Sequence, residues 1–139
     1  RLAACYGSQC VVLAIDALAR SPGAGGWEVM AEAGRKATGR EASAWAREAA
    51  GRGAGEILLT SMDRDGTGEG YDLGLLRSLV PCGLPVIASG GARKPRHFLE
   101  AAEAGARALL AAGIFHRGEV AIADIKEALR AAGQEVRIC

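Results

Sequence analysis

Four short apolar segments alternate with segments that have the composition and capping signals of helices, and this alternation constrains the fold more than any other feature. The predicted strands are Cys10–Ala17, Glu56–Ser61, Pro85–Ser89 and Arg107–Ala112. A segment that is apolar at nearly every position is typical of a strand buried on both faces of a parallel sheet. Strands that alternate with helices form parallel sheets with right-handed crossovers. The sequence therefore predicts an α/β fold of four strand–helix units.

Two further predictions concern the long connection after the first strand. A small hairpin is expected within Gly23–Gly34, around Trp27–Met30. Thr38 and Glu41 have the spacing of a capping box, which predicts a helix that begins there and ends near Arg52.

Two glycine-containing loops, Asp63–Thr67 and Ser89–Ala92, follow the second and third predicted strands. The N-terminus of a helix carries unpaired N–H groups and a partial positive charge, so an anion binds there readily. In the first loop, Gly66 and Thr67 could donate to a phosphate, or the loop could be an Asx-type turn with a solvated Arg64. Two such loops in successive units favour a barrel-type enzyme that acts on phosphate esters, or a part of one.

Polar residues stand at the carboxyl ends of the predicted strands, where barrel enzymes keep their catalytic groups. Asp16 could act as a general acid or base, or could cap the loop that follows it; spacing alone leaves both open. Asp65 is a second acid–base candidate, whereas Asp63 is better explained by a turn. Thr60 and Ser89 could each bind substrate or satisfy a local backbone group. The histidines, His97 and His116, are assigned no catalytic role.

Composition excludes several classes of protein. At 139 residues the chain is expected to form one domain, and a formal net charge of +1 argues against a nucleic-acid-binding protein. No segment is apolar and long enough to span a membrane and no signal peptide is recognised, so a cytoplasmic location is expected. The four cysteines are scattered, which indicates neither a metal site nor a disulfide framework, although Cys10 is expected in the core. No cofactor is predicted.

Several longer motifs together resemble one known family. They are Gly7–Cys10, Ala14–Ala17, Gly53–Ser61, Asp63–Thr67, Gly70–Asp72, Ala88–Ala92, His97–Glu100 and the ending Val136–Cys139. They resemble the cyclase subunit of imidazole glycerol phosphate synthase, the HisF family, over units five to eight of its eight-stranded barrel. The resemblance implies a (βα)4 half-barrel, which is half of a TIM (βα)8 barrel.

The family resemblance also implies an activity and roles for individual residues. It implies a lyase of histidine biosynthesis that converts a two-phosphate ribulosyl aminoimidazole carboxamide nucleotide (PRFAR) and ammonia from a glutaminase partner (HisH). Asp16 matches one of the family's two catalytic aspartates, and Glu56 matches one member of its charged ammonia gate. The remaining matched positions, all on the phosphate side, are Asp65, Gly66, Gly90, Gly91, Ala92, Ala112 and Gly113.

The chain departs from the family pattern in three respects. The other catalytic aspartate belongs to strand one, in the half that this chain lacks. Gly113 stands where the family usually has serine, and Arg93 where it usually has glycine. Two functions therefore stay open: half of a cyclase, or a self-associating phosphate-binding half-barrel without cyclase activity.

A four-stranded half-barrel would leave one sheet face in water and both outer strands as open edges. Parallel sheets are almost always covered on both faces, and open edges invite pairing. The sequence therefore predicts a homodimer in which the first strand of each copy pairs with the fourth strand of the other, closing eight strands.

Overall fold

The computed structural model describes residues 1–21 and 23–137; Ile138 and Cys139 of the ending motif lie outside the described residues. The described chain forms one six-stranded sheet in the order β3-β2-β1-β4-β5-β6. Its strands are β1 (Val12–Ala19), β2 (Trp27–Ala31), β3 (Lys36–Glu41), β4 (Glu56–Ser61), β5 (Val86–Ser89) and β6 (Ala108–Leu109). Its α-helices are α1 (Leu2–Tyr6), α2 (Ala42–Gly51), α3 (Leu73–Leu79), α4 (Pro95–Glu103), α5 (Gly113–His116) and α6 (Ile122–Ala131).

The four predicted strands are confirmed as the parallel part of the sheet. β1 pairs with β4, β4 with β5, and β5 with β6, all in parallel. Their bounds differ from the prediction at the ends: β1 begins at Val12, and β6 is reduced to two residues. Cys10 precedes β1 and is exposed, so its predicted place in the core is wrong.

The side chains of the parallel strands alternate between a covered face and an open face. Ile15, Leu59 and Ala88 lie in register across three strands and are buried, because helices cover this face. Helices α2, α3 and α4 pack against β1, β5 and β6 respectively, and α6 packs on α4. On the opposite face the in-register row Ala14, Leu58, Ile87 and Ala108 is half-buried or exposed. The face that would line a barrel is therefore open in the single chain.

The predicted hairpin exists but is larger than expected and joins the main sheet. Strand β2 runs antiparallel to β1, with Asp16 opposite Met30 and Ala19 opposite Trp27. The edge of the first strand is consequently covered over Asp16–Ala19. The prediction that this whole edge is open is therefore wrong for its carboxyl-terminal half.

The capping box predicted at Thr38 is also wrong, because Thr38 belongs to β3. Its hydroxyl donates to the Val29 carbonyl at 2.6 Å, across the hairpin. Glu41 caps α2 instead, since its carboxylate accepts from the Ala44 N–H at 2.8 Å. The helix therefore begins at Ala42, several residues later than the sequence predicted.

In the part of the chain that the structure describes, no helix combines the length and the hydropathy needed to cross a membrane.

Candidate functional site

A cavity of about 530 Å³ lies beyond the carboxyl ends of β4, β5 and β6. Of the site residues predicted from the sequence, Asp16 and Glu56 do not line this cavity and the others do: Thr60, Asp65, Gly66, Thr67, Ser89, Gly90, Gly91, Ala92, Ala112 and Gly113. The topology explains the convergence, because parallel neighbours place their carboxyl ends, and the loops that follow, at one edge of the sheet. The loops that the sequence singled out separately therefore form one cavity.

Gly90 and Gly91 form part of the wall where backbone approaches backbone. Both have positive φ, 95° and 93°. A Cβ on Gly91 would lie 2.3 Å from the Gly70 carbonyl oxygen, and one on Gly90 would lie 2.7 Å from that of Ser61. Only glycine fits such positions, so a side chain placed at Gly91 would disturb the fold as well as any bound anion.

The loop after β4 is held by its own polar groups. The Thr67 hydroxyl donates to the Arg64 carbonyl at 2.7 Å, which closes the turn that the loop makes after β4. Asp63 accepts from the Ala19 N–H at 2.8 Å and thereby ties the loop to the end of β1. Its structural interpretation is thus supported by a contact, while Asp65 is exposed at the cavity wall.

Asp16 does not line the cavity, but it belongs to the row of residues across the sheet that leads to the cavity. In register, Asp16 neighbours Thr60, and Thr60 neighbours Ser89, so the three form one row across β1, β4 and β5. All three are half-buried. Neighbouring strands are about 5 Å apart, which puts the Cα atoms of Asp16 and Ser89 about 10 Å from each other. The open face therefore carries a carboxylate beside the residues that lead into the cavity.

His97 and Tyr71 form hydrogen bonds to the backbone of two residues that line the cavity, Arg93 and Leu110. The buried His97 ring accepts at Nδ1 from the Arg93 N–H at 3.2 Å, which ties α4 to the loop after β5. Burial lowers the pKa of His97, so the neutral ring is favoured. The Tyr71 hydroxyl donates to the Leu110 carbonyl at 3.0 Å, and burial raises the pKa of this phenol. The sequence analysis assigns neither role: Leu110 lies 39 residues after Tyr71, and the four-residue spacing of Arg93 and His97 does not by itself predict a bond to the imidazole.

Two arginines and a glutamate complete the cavity rim. Arg93 and Arg117 line the cavity, and Glu119 accepts from Arg117 Nε and forms an ion pair with Arg93 Nε at 3.4 Å. Sequence reasoning noted Arg93 only as a departure from a family pattern. It missed Arg117, whose one available signal was its position four residues after Gly113.

Within residues 1–21 and 23–137, no group of three His, Cys, Asp or Glu side chains is arranged to hold a metal ion.

Comparison with known proteins agrees with the half-barrel geometry. The family model described as "Histidine biosynthesis protein" matches residues 1–121. The chain is 55% identical over 133 residues to "Imidazole glycerol phosphate synthase subunit HisF" of Gluconacetobacter diazotrophicus, covering 95% of this chain and 51% of that protein. It is 55% identical to the HisF subunit of Caulobacter vibrioides over 96% of this chain and 52% of the relative. It is 54% identical to the HisF subunit of Kocuria rhizophila, over 95% of this chain and 53% of that protein.

The chain thus spans about half the length of the curated relatives that it matches. Four parallel strand–helix units are what half of an eight-stranded barrel contains. The fold, the family model and the relatives agree: this chain belongs to the histidine biosynthesis protein family and is homologous to HisF, the cyclase subunit of imidazole glycerol phosphate synthase, over half of that subunit's length.

Proposed function

We propose that residues 1–139 form one half-barrel domain that supplies half of a cyclase active site. The reaction converts PRFAR and ammonia to imidazole glycerol phosphate and an aminoimidazole carboxamide ribotide. The observation that carries this proposal is the row Asp16, Thr60 and Ser89, which leads from a carboxylate into the glycine-lined cavity. A substrate with a phosphate in the cavity would extend along this row toward Asp16.

Each part of the site has a role in this proposal. The cavity holds one phosphate of the substrate, chiefly through backbone N–H groups near Gly90 and Gly91, as glycine loops before helices commonly do. Asp16 acts as a general acid or base during ring closure, an effect that typically contributes about 10²- to 10⁴-fold. Asp65, at the cavity wall, orients the loop and the substrate. A second carboxylate has to come from residues outside this chain or from a second copy.

Ammonia delivery is assigned to the other end of the open face. Glu56 begins β4, on the same face as Thr60 and four residues before it. At about 3.3 Å per residue, the two positions are about 13 Å apart along the strand. Glu56 would then lie at the amino-terminal mouth of a completed barrel, opposite the substrate. A glutaminase subunit, HisH by family resemblance, is the proposed partner at that mouth.

A second copy of this chain is the proposed cover for the open face. Val12 and Leu110 keep 49% and 41% of their surface exposed, which is large for apolar side chains of a parallel sheet. Among the described residues, β1 lacks a partner over Val12–Ile15 on the side where β2 pairs with Asp16–Ala19. That free edge could pair with β6 of another copy and would bring two Asp16 side chains to one mouth.

The described cysteines, Cys5, Cys10 and Cys82, are free thiols, as is usual in the cytoplasm, where we place this reaction.

The test is a single-chain chimera in which this chain replaces the matching half of the Gluconacetobacter diazotrophicus relative. The chimera is incubated with PRFAR and ammonium, and imidazole glycerol phosphate is measured by chromatography. Turnover that Asp16→Asn abolishes and Asp124→Asn leaves intact supports the cyclase proposal, since Asp124 is exposed on α6. A folded chimera that binds PRFAR without turnover contradicts it.

The second candidate is a phosphate-binding half-barrel without cyclase activity. The cavity favours it, because its lining is complete within one chain whereas the acid–base pair is not. Calorimetric titration of the chain with inorganic phosphate, alongside a turnover assay of the same sample, separates the two. Binding together with turnover by the chain alone would eliminate this candidate.

A further inference from the structure

Two glycines that line the cavity, Gly68 and Gly113, are each in close contact with an arginine side chain. A Cβ on Gly113 would lie 2.8 Å from Arg117 Nη1, so the guanidinium occupies the space above that glycine. A Cβ on Gly68 would lie 2.9 Å from Arg93 Cδ, so the aliphatic part of Arg93 covers the loop after β4. Both arginines line the cavity. Their positive charges are therefore brought to the cavity by contacts with its own loops.

A carboxylate already lies between these two cations. Arg117 Nε donates to Glu119 Oε1, and Arg93 Nε lies 3.4 Å from Glu119 Oε2, so each carboxylate oxygen faces one guanidinium. The side chain of Glu119 is 29% exposed, whereas those of Arg93 and Arg117 are 58% and 61% exposed. Guanidinium groups bind carboxylate and phosphate oxygens with the same planar donor geometry. Glu119 thus occupies donors that suit an anionic ligand.

We propose that Arg93 and Arg117 are side-chain ligands for a phosphate in this cavity, and that Glu119 is an internal anion that competes with it for them. The inference rests on the proposed phosphate-binding function and names residues that this function did not use. A phosphate carries more charge and more acceptor oxygens than a carboxylate, so it can take over both guanidinium groups. When the phosphate leaves, Glu119 neutralises the pair again.

Glu119 remains a competitor at neutral pH. The hydrogen bond from Arg117 holds the pKa of this carboxyl below its usual range, although desolvation acts in the opposite direction. The competing charge is therefore present wherever phosphate is titrated near pH 7. Asp65 is a further acidic residue that lines the cavity, whereas Glu69, in the loop after β4, is paired with Arg64 at 3.0 Å.

The test is calorimetric titration of the full chain with inorganic phosphate. Glu119→Gln keeps the shape of the side chain and removes its charge, so phosphate affinity should rise roughly two- to fivefold, the size expected of an exposed charge pair. Arg117→Ala should weaken binding by a similar factor. Glu127→Gln and Arg130→Ala change the net charge equally from exposed positions on α6 and should leave the affinity unchanged.

A double-mutant cycle separates competition from a general charge effect. If Glu119 acts through the arginines, Glu119→Gln should give a smaller gain once Arg117 is alanine, because only Arg93 is then left for Glu119 to occupy. A gain that persists undiminished in the Arg117→Ala background, or equals that of Glu127→Gln, overturns the proposal. Wild-type binding that Glu119→Gln does not change also overturns it while leaving the phosphate site intact. Failure of every variant to bind phosphate removes the phosphate site itself, and this inference with it.

Discussion

Asp72 joins three separate parts of the structure, and its replacement should be costly. Its Oδ1 accepts from the Leu75 N–H at 2.9 Å and so caps α3. Its Oδ2 accepts from Trp27 Nε1 at 3.0 Å and from the Ser61 hydroxyl at 3.4 Å. Trp27 also covers Gly74, where a Cβ would lie 3.3 Å from the indole ring. One carboxylate therefore holds the hairpin, the end of β4 and the start of α3 together.

The cost of Asp72→Ala can be summed from these contacts. Loss of an N-cap costs about 1 kcal/mol. A hydrogen bond to a charged group contributes about 1.5 kcal/mol or more, and the indole loses one. The Ser61 hydroxyl, only 2% exposed, loses a longer bond, which adds about 0.5 kcal/mol. The free energy of unfolding should fall by about 3 kcal/mol, which lowers Tm by roughly 10 °C for a chain of this length.

Urea denaturation followed by circular dichroism measures this change. Asp72→Asn keeps a cap acceptor but presents an amide near the indole, so its loss should be about half as large. Asp124→Ala is the matched control, since Asp124 stands in the first turn of α6 and is exposed, and it should stay within about 0.5 kcal/mol of wild type. An Asp72→Ala protein as stable as this control would refute the role assigned to Asp72.

Three further predictions concern pH, activity and assembly. Because burial lowers the pKa of His97, the unfolded chain takes up a proton below about pH 6.5 that the folded chain does not, so stability should fall with decreasing pH by at most about 1.4 kcal/mol per unit. His97→Gln should flatten urea-unfolding free energies between pH 5 and pH 7, and an unchanged slope would exclude His97 as the cause. In the chimera, Asp16→Asn should lower kcat about 10²- to 10⁴-fold and Asp65→Asn less; equal losses would show that the two roles are wrongly assigned. Val12→Glu should shift sedimentation toward the monomer, because it places a charge on the open sheet face, and a wild-type chain that is already monomeric at micromolar concentration would contradict the dimer.

The parallel strands and the cavity loops could be predicted from the sequence because their signals are local. β4 alternates half-buried and buried residues from Glu56 to Ser61, and its apolar run identified it without knowledge of its neighbours. The loop glycines were recognisable because a positive φ or a close backbone approach restricts the residue to glycine at positions such as Gly91. Parallel topology then brings the strand ends together wherever the units follow one another.

Other features were decided only by tertiary contacts. Threonine is a common helix N-cap residue, which is why Thr38 was predicted to begin a helix. Because β3 pairs with β2, the Thr38 hydroxyl instead donates to the Val29 carbonyl, and α2 begins later in the sequence. The hairpin joins β1 over Asp16–Ala19, on the edge opposite β4, where the backbone groups of these residues have no other strand to pair with.

The charged rim of the cavity likewise depends on the fold. Arg93 and Glu119 are 26 residues apart in the sequence numbering, and no local pattern links them, yet their side chains meet at 3.4 Å. Strand and turn preferences act over a few residues and are written in the sequence. Which groups form a hydrogen bond or an ion pair depends on which loops the sheet brings to the same edge. Those loops are close together only in the folded chain.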